Sequence, residues 1–94
     1  MEEKKKEILK VDTMLRVFMG ELVLKGWAYL GVISHPETEE IKSDIEQAKL
    51  AIDAIERLLE LRKNFLSEKE IKEMQLSLSN LKLNYVNKKN EKNK

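Results

Sequence analysis

From Met14 to Ile33 the sequence reads MLRVFMGELVLKGWAYLGVI, and only Arg16, Glu21 and Lys25 bring charge into it. On a helix turning about 100° per residue, its apolar residues cover nearly the whole circumference instead of one stripe. Such a helix must be covered on most sides, by its own chain, by a second copy or by lipid. Gly20 and Gly26 sharpen that demand. Each weakens a helix interior by about 1 kcal/mol relative to Ala, and close approach of another backbone is the plain reason to tolerate glycine there. Gly31 is suited to end the helix as a left-handed C-terminal residue. Glu21 and Lys25, four apart in the favourable order, mark the strip expected to see water.

The rest of the chain must supply the cover, and it is short. Its 94 residues allow one domain, near the lower end of what a single core can stabilise. With one Pro, three Gly and 37% charged residues, the composition is that of long helices. The absence of cysteine removes disulfides, thiolate chemistry and Cys-based zinc sites.

The spacing predicts three helices, over about 13–30, 44–63 and 68–86, in one domain spanning 12–86. Residues 1–11 read as a flexible polar lead-in and 87–94 as a disordered basic tail. The lead-in mixes Glu and Lys with no signal-peptide pattern. Asp12 and Thr13 offer side-chain oxygens to start the first helix. Pro36 makes VISHPETEEI, residues 32–41, a connector.

Ser43 and Glu46 have capping-box spacing for the second helix, and Asn64 is suited to a left-handed stop after it. Ser67 and Glu70 repeat the box for the third, with Leu66 and Ile71 placed as a hydrophobic staple. Ile45, Ala48, Ile52, Ile55 and Leu59 follow a heptad seam, matched by Ile71, Met74, Leu78, Leu81 and Tyr85. The expected fold is all-α: helices 2 and 3 form an antiparallel hairpin packed as a compact bundle on helix 1. A two-helix hairpin covers only part of helix 1, so homodimerisation is expected to complete the core.

Leu30-Gly31, then His35-Pro36-Glu37-Thr38, then Asp44-Ile45-Glu46-Gln47-Ala48-Lys49 with Ile52-Asp53, then 64–70 and 81–86, form an ordered set. In this the chain resembles the bacterial family called domain of unknown function 1844, over residues 13–86. It departs from the family pattern at Glu39, where members tend to have Gly, and at Asn64-Phe65, where they tend to have Gly-Asn. The resemblance implies a helical domain without an assigned activity, and it supplies no catalytic residues.

The residues themselves point the same way. His35 is the single histidine, and beside the carboxylates of Glu37, Glu39 and Glu40 it offers too few convergent donors for zinc. It reads as a surface-loop side chain. The acids Asp44, Glu46, Asp53, Glu56 and Glu60 lack the Glu-x-x-His pairs of di-metal bundles and read as a solvated face. No catalytic residue, metal site or cofactor is expected.

Phe18, Trp27 and Tyr29 are either core or interface anchors. Leu76 and Leu83 fall opposite the seam of helix 3, as do Leu50, Ala54 and Leu61 in helix 2. Phe18, Leu22, Trp27, Leu76 and Leu83 are therefore the candidate interface residues.

Positive charge is concentrated at the two ends and the segment between is net acidic, so the basic face of a nucleic-acid binder is missing. The leading expectation is a cytoplasmic, self-associating interaction module, a dimer or the partner of another protein, without catalytic activity. Two alternatives are weaker. Helix 1 as a membrane-embedded or interfacial segment must bear its three charges, at about 2.5–3.5 kcal/mol for each that lies centrally. A nucleic-acid accessory role would rest on Lys69, Lys72 and Lys82 beside Glu68, Glu70 and Glu73.

Overall fold

The structure is a computed structural model that describes residues 7–92. Three helices, α1 (Val11–Tyr29), α2 (Ile45–Arg62) and α3 (Glu68–Lys92), account for its regular structure, with a 3-10 turn at Lys63–Phe65. The class is all-α.

The chain runs up, down and up. Gly26 lies near Ala51, and Arg62 reaches Met19, so α1 and α2 are antiparallel. Glu56 pairs with Lys82 at 2.6 Å, and Lys63 and Gln75 line one groove, which runs α3 back along α2. The two seams meet as their spacing requires: Ala48, Ile52, Ile55 and Leu59 are buried with Leu78 and Leu81, joined by Met19 of α1 and its C-cap residue Leu30. Leu22, Val23 and Trp27 pack against this core half-buried.

The expectation of a compact bundle is corrected by the shape. The radius of gyration is 16.0 Å and the extents are 61 × 33 × 17 Å. A compact chain of this length would have a radius near ~12 Å. The molecule is therefore elongated along its helices, with one core to which all three contribute. The tighter pairing is α1 with α2, while α1 and α3 meet at few points. One such point is Gly26, where an added Cβ would lie 3.2 Å from Leu81 Cδ2. Gly20 differs: nothing lies within 4 Å of where its Cβ would be, so no neighbour in this chain requires glycine there.

The helix ends follow local chemistry with some corrections. At the end of α1, Val32 N–H donates to Trp27 O and Gly31 N–H to Ala28 O, with Gly31 at φ 81°, a Schellman closure. At its start, α1 begins at Val11 after an extended Lys10 whose side chain makes no cap, so Asp12 sits within the first turn. The cap of α2 is Asp44 and not Ser43; its carboxylate accepts from Gln47 N–H at 3.3 Å. Asp44 has the extended backbone an N-cap needs, pinned by its N–H donating to Tyr29 O.

α2 closes by tightening into the 3-10 turn, so Asn64 is not left-handed. The Ser67–Glu70 box forms as expected: Ser67 N–H donates to Glu70 at 3.0 Å and Glu70 N–H to Ser67 Oγ at 3.1 Å. α3 continues to Lys92 and not Val86, which corrects the expected disorder over 87–92. No Gly or Pro interrupts it, and Lys88 pairs with Glu91 one turn on. The expected flexible lead-in lies mostly outside the described residues, as do the last two residues of the tail.

Candidate interaction surface and the connector clasp

Each of the three helices keeps large apolar side chains that nothing in the chain covers. On α1 the exposed apolar residues include Met14, Val17, Phe18 and Leu24, at 37%, 53%, 46% and 42% exposure, with Val17 and Leu24 on one row. Gly20 lies between Val17 and Leu24, and nothing comes within 4 Å of where its Cβ would be. Of the expected interface residues, Phe18, Leu76 and Leu83 are exposed. Leu22 and Trp27 instead pack on the core. Leu50 and Leu61 on α2 are also exposed. Val17 and Leu24 did not emerge from the sequence as interface residues, because a helix apolar all round gives no sign of which side its own chain will take.

The connector after α1 is held by a polar clasp. His35 is only 7% exposed, which corrects its reading as a surface side chain. Lys25 Nζ lies 2.7 Å from His35 Nδ1, and His35 Nε2 lies 2.8 Å from the Lys42 carbonyl oxygen. An ammonium can only donate, so Nδ1 accepts and the ring hydrogen sits on Nε2, donating to Lys42. Lys25 also donates to both oxygens of Glu37, at 2.9 and 3.0 Å, and sits 4.9 Å from the Tyr29 ring centre. The hydrogen bond from Lys25 holds the Glu37 carboxyl below the ordinary carboxylate value. The Tyr29 and His35 rings meet edge-on at 4.6 Å.

Lys25 therefore serves the connector, and the expected Glu21–Lys25 pair does not form. Neither Glu21 nor Arg16 has an ion-pair partner among the described residues. Within the connector, His35 accepts from the N–H groups of Thr38 and Glu39 and donates its own to Glu40 O. This turn forces Glu39 to φ 62°, a left-handed backbone that favours glycine. Position 39 is where the chain departs from the pattern it resembles, and the geometry explains why Gly suits it. A model of the family described as a domain of unknown function (DUF1844) matches residues 12–87. The chain belongs to this family. No curated protein and no solved structure matches it.

Two further features of this DUF1844 chain are polar. Arg62 is buried, with Nη1 3.6 Å from Met19 Sδ and Nε without a partner. It stands at a cleft of about 310 Å³ between α1 and α3, rimmed by Arg16, Glu70 and Glu73. Three of the acids in this stretch are engaged locally: Asp44 caps α2, Asp53 pairs with Lys49 at 3.0 Å, and Glu56 pairs with Lys82. Among the described residues no group of three or more His, Cys, Asp or Glu could hold a metal ion. Among them, too, no helix is long and apolar enough to cross a membrane, so the reading of α1 as a membrane-spanning segment loses its support.

Proposed function

We propose that this DUF1844 chain is a self-associating interaction module that forms a homodimer and carries out no catalysis. The observation that carries the reading is the uncovered outer side of α1, where Val17 and Leu24 stand half-exposed on either side of Gly20. Apolar surface gathered on one helix face gains free energy by leaving water, and a second copy offers a matching face. The non-catalytic part rests on His35, whose ring nitrogens are both engaged by Lys25 and Lys42.

Size-exclusion chromatography with light scattering tests the reading. At micromolar concentration the expected mass is twice that of the chain. Leu24→Glu, at a position already exposed, is expected to give a folded monomer by circular dichroism. A wild-type chain that is well folded and monomeric at that concentration would overturn the proposal.

A further inference from the structure

The outer side of α1 carries a heptad pattern of its own. Thr13, Val17, Gly20 and Leu24 follow at spacings of four, three and four. The core-facing residues Met19, Leu22, Gly26 and Leu30 form a different row. At 100° per residue the two rows lie about 140° apart, so α1 can face its own chain and a partner at once. In heptad terms Val17 and Leu24 are a positions, and Thr13 and Gly20 are d positions.

The flanking charges decide the orientation. Arg16 then falls at g and Glu21 at the following e, the five-residue step that parallel coiled coils bridge between chains. Both are exposed and neither lies within ion-pair distance of an opposite charge among the described residues, Arg16 facing Glu70 and Glu73 only across the cleft between α1 and α3. Glu21 is free because Lys25 is committed to Glu37 and His35. An antiparallel pair crossing at Gly20 would bring Glu21 against the partner's Glu21 and set Arg16 beside the partner's Val23, which like-charge repulsion disfavours.

We infer that a second copy of this chain docks on α1 as a parallel, in-register pair whose two-fold axis passes between the two Gly20 residues. Val17 and Leu24 stack on their own copies across the axis, and Arg16 of each chain pairs with the partner's Glu21. Gly20 serves this contact, letting two backbones approach where nothing in its own chain comes within 4 Å. The inference rests on the self-association proposed above and adds the face, orientation and register.

The chain has no cysteine, so single-cysteine variants report the geometry without background. Residues at a face their own copies across a parallel two-fold, within the roughly 4.4–6.8 Å Cα reach of a disulfide. Val17→Cys and Leu24→Cys are each expected to form covalent dimers on mild oxidation of the folded protein, whereas Leu50→Cys on α2 is not. Disulfide formation only when the Val17→Cys and Leu24→Cys proteins are mixed would show an antiparallel pair and overturn the inference. A dimer by light scattering that links only through Leu50→Cys would overturn it too, while leaving self-association intact. A folded wild-type monomer would remove both.

Charge reversal supplies a second readout. Arg16→Glu and Glu21→Arg are each expected to weaken the dimer about tenfold, and the double variant to restore it to within about twofold. A double variant no tighter than the singles would also overturn the inference.

Discussion

The two interior glycines of α1 make an internally controlled experiment. Gly20 and Gly26 lie in the same helix, six residues apart, and the same substitution to alanine meets opposite surroundings. At either position alanine gains about 1 kcal/mol of helix propensity. At position 20 the new methyl meets open space in the single chain, so that gain is expected in full. At position 26 the methyl would sit 3.2 Å from Leu81 Cδ2 and 3.8 Å from Ala51 Cβ. Leu81 is fully buried and wedged in the core, so it has little room to yield.

Overpacking of this kind costs about 1–3 kcal/mol. Against the propensity gain, Gly26→Ala is expected to range from neutral to about 2 kcal/mol destabilised. The separation between the two variants is then about 1–3 kcal/mol, or at least about 4 °C in Tm for a domain of this size. Urea and thermal denaturation followed by circular dichroism would measure it, at concentrations where light scattering finds only monomer so that association does not enter. A Gly26→Ala variant as stable as Gly20→Ala would refute the reasoning, because it would mean that α1 and α3 do not meet at Gly26.

Four other expectations follow from the local chemistry. Ser67→Ala removes the oxygen that accepts Glu70 N–H and is expected to cost about 1 kcal/mol in urea denaturation. The Ser67 N–H donates to the Glu70 carboxylate and lowers its pKa below the ordinary 4.5, so the unfolded chain binds its proton first. The stability this contributes is present above the unfolded value and lost as pH falls through the folded one; Glu70→Gln should flatten that acid limb of stability against pH. Arg62→Met replaces a buried guanidinium whose Nε has no partner with an apolar side chain, and is expected to raise stability by about 1 kcal/mol, read as a higher Tm. Glu39→Gly relieves a left-handed backbone and is expected to leave stability unchanged or raise it by up to about 1 kcal/mol in the same assay.

The elements whose signals are local were legible in sequence. The Ser67–Glu70 box needs only four consecutive residues, and Gly31 closes α1 by its own freedom to take positive φ, so both form where the sequence places them. The matched seams of α2 and α3 are likewise set by spacing, and Ile52, Ile55, Leu78 and Leu81 are buried together. The Ser43 cap failed by one residue because Asp44, tied to Tyr29 through its backbone, holds the extended conformation the cap needs.

The tertiary structure alone decided the rest. His35 is buried because α1 brings Lys25 and Tyr29 to it across the connector, ten residues of chain away from Lys25, and no local pattern carries that information. The same holds for Gly20 and Gly26, two identical residues in one apolar helix, of which one touches Leu81 and the other touches nothing. The sequence by itself required that α1 be covered on most sides, since its apolar residues circle the helix. Only the packing of α2 and α3 showed which side they cover, because a period of 3.6 sets the angle between residues but not the direction from which a neighbour arrives.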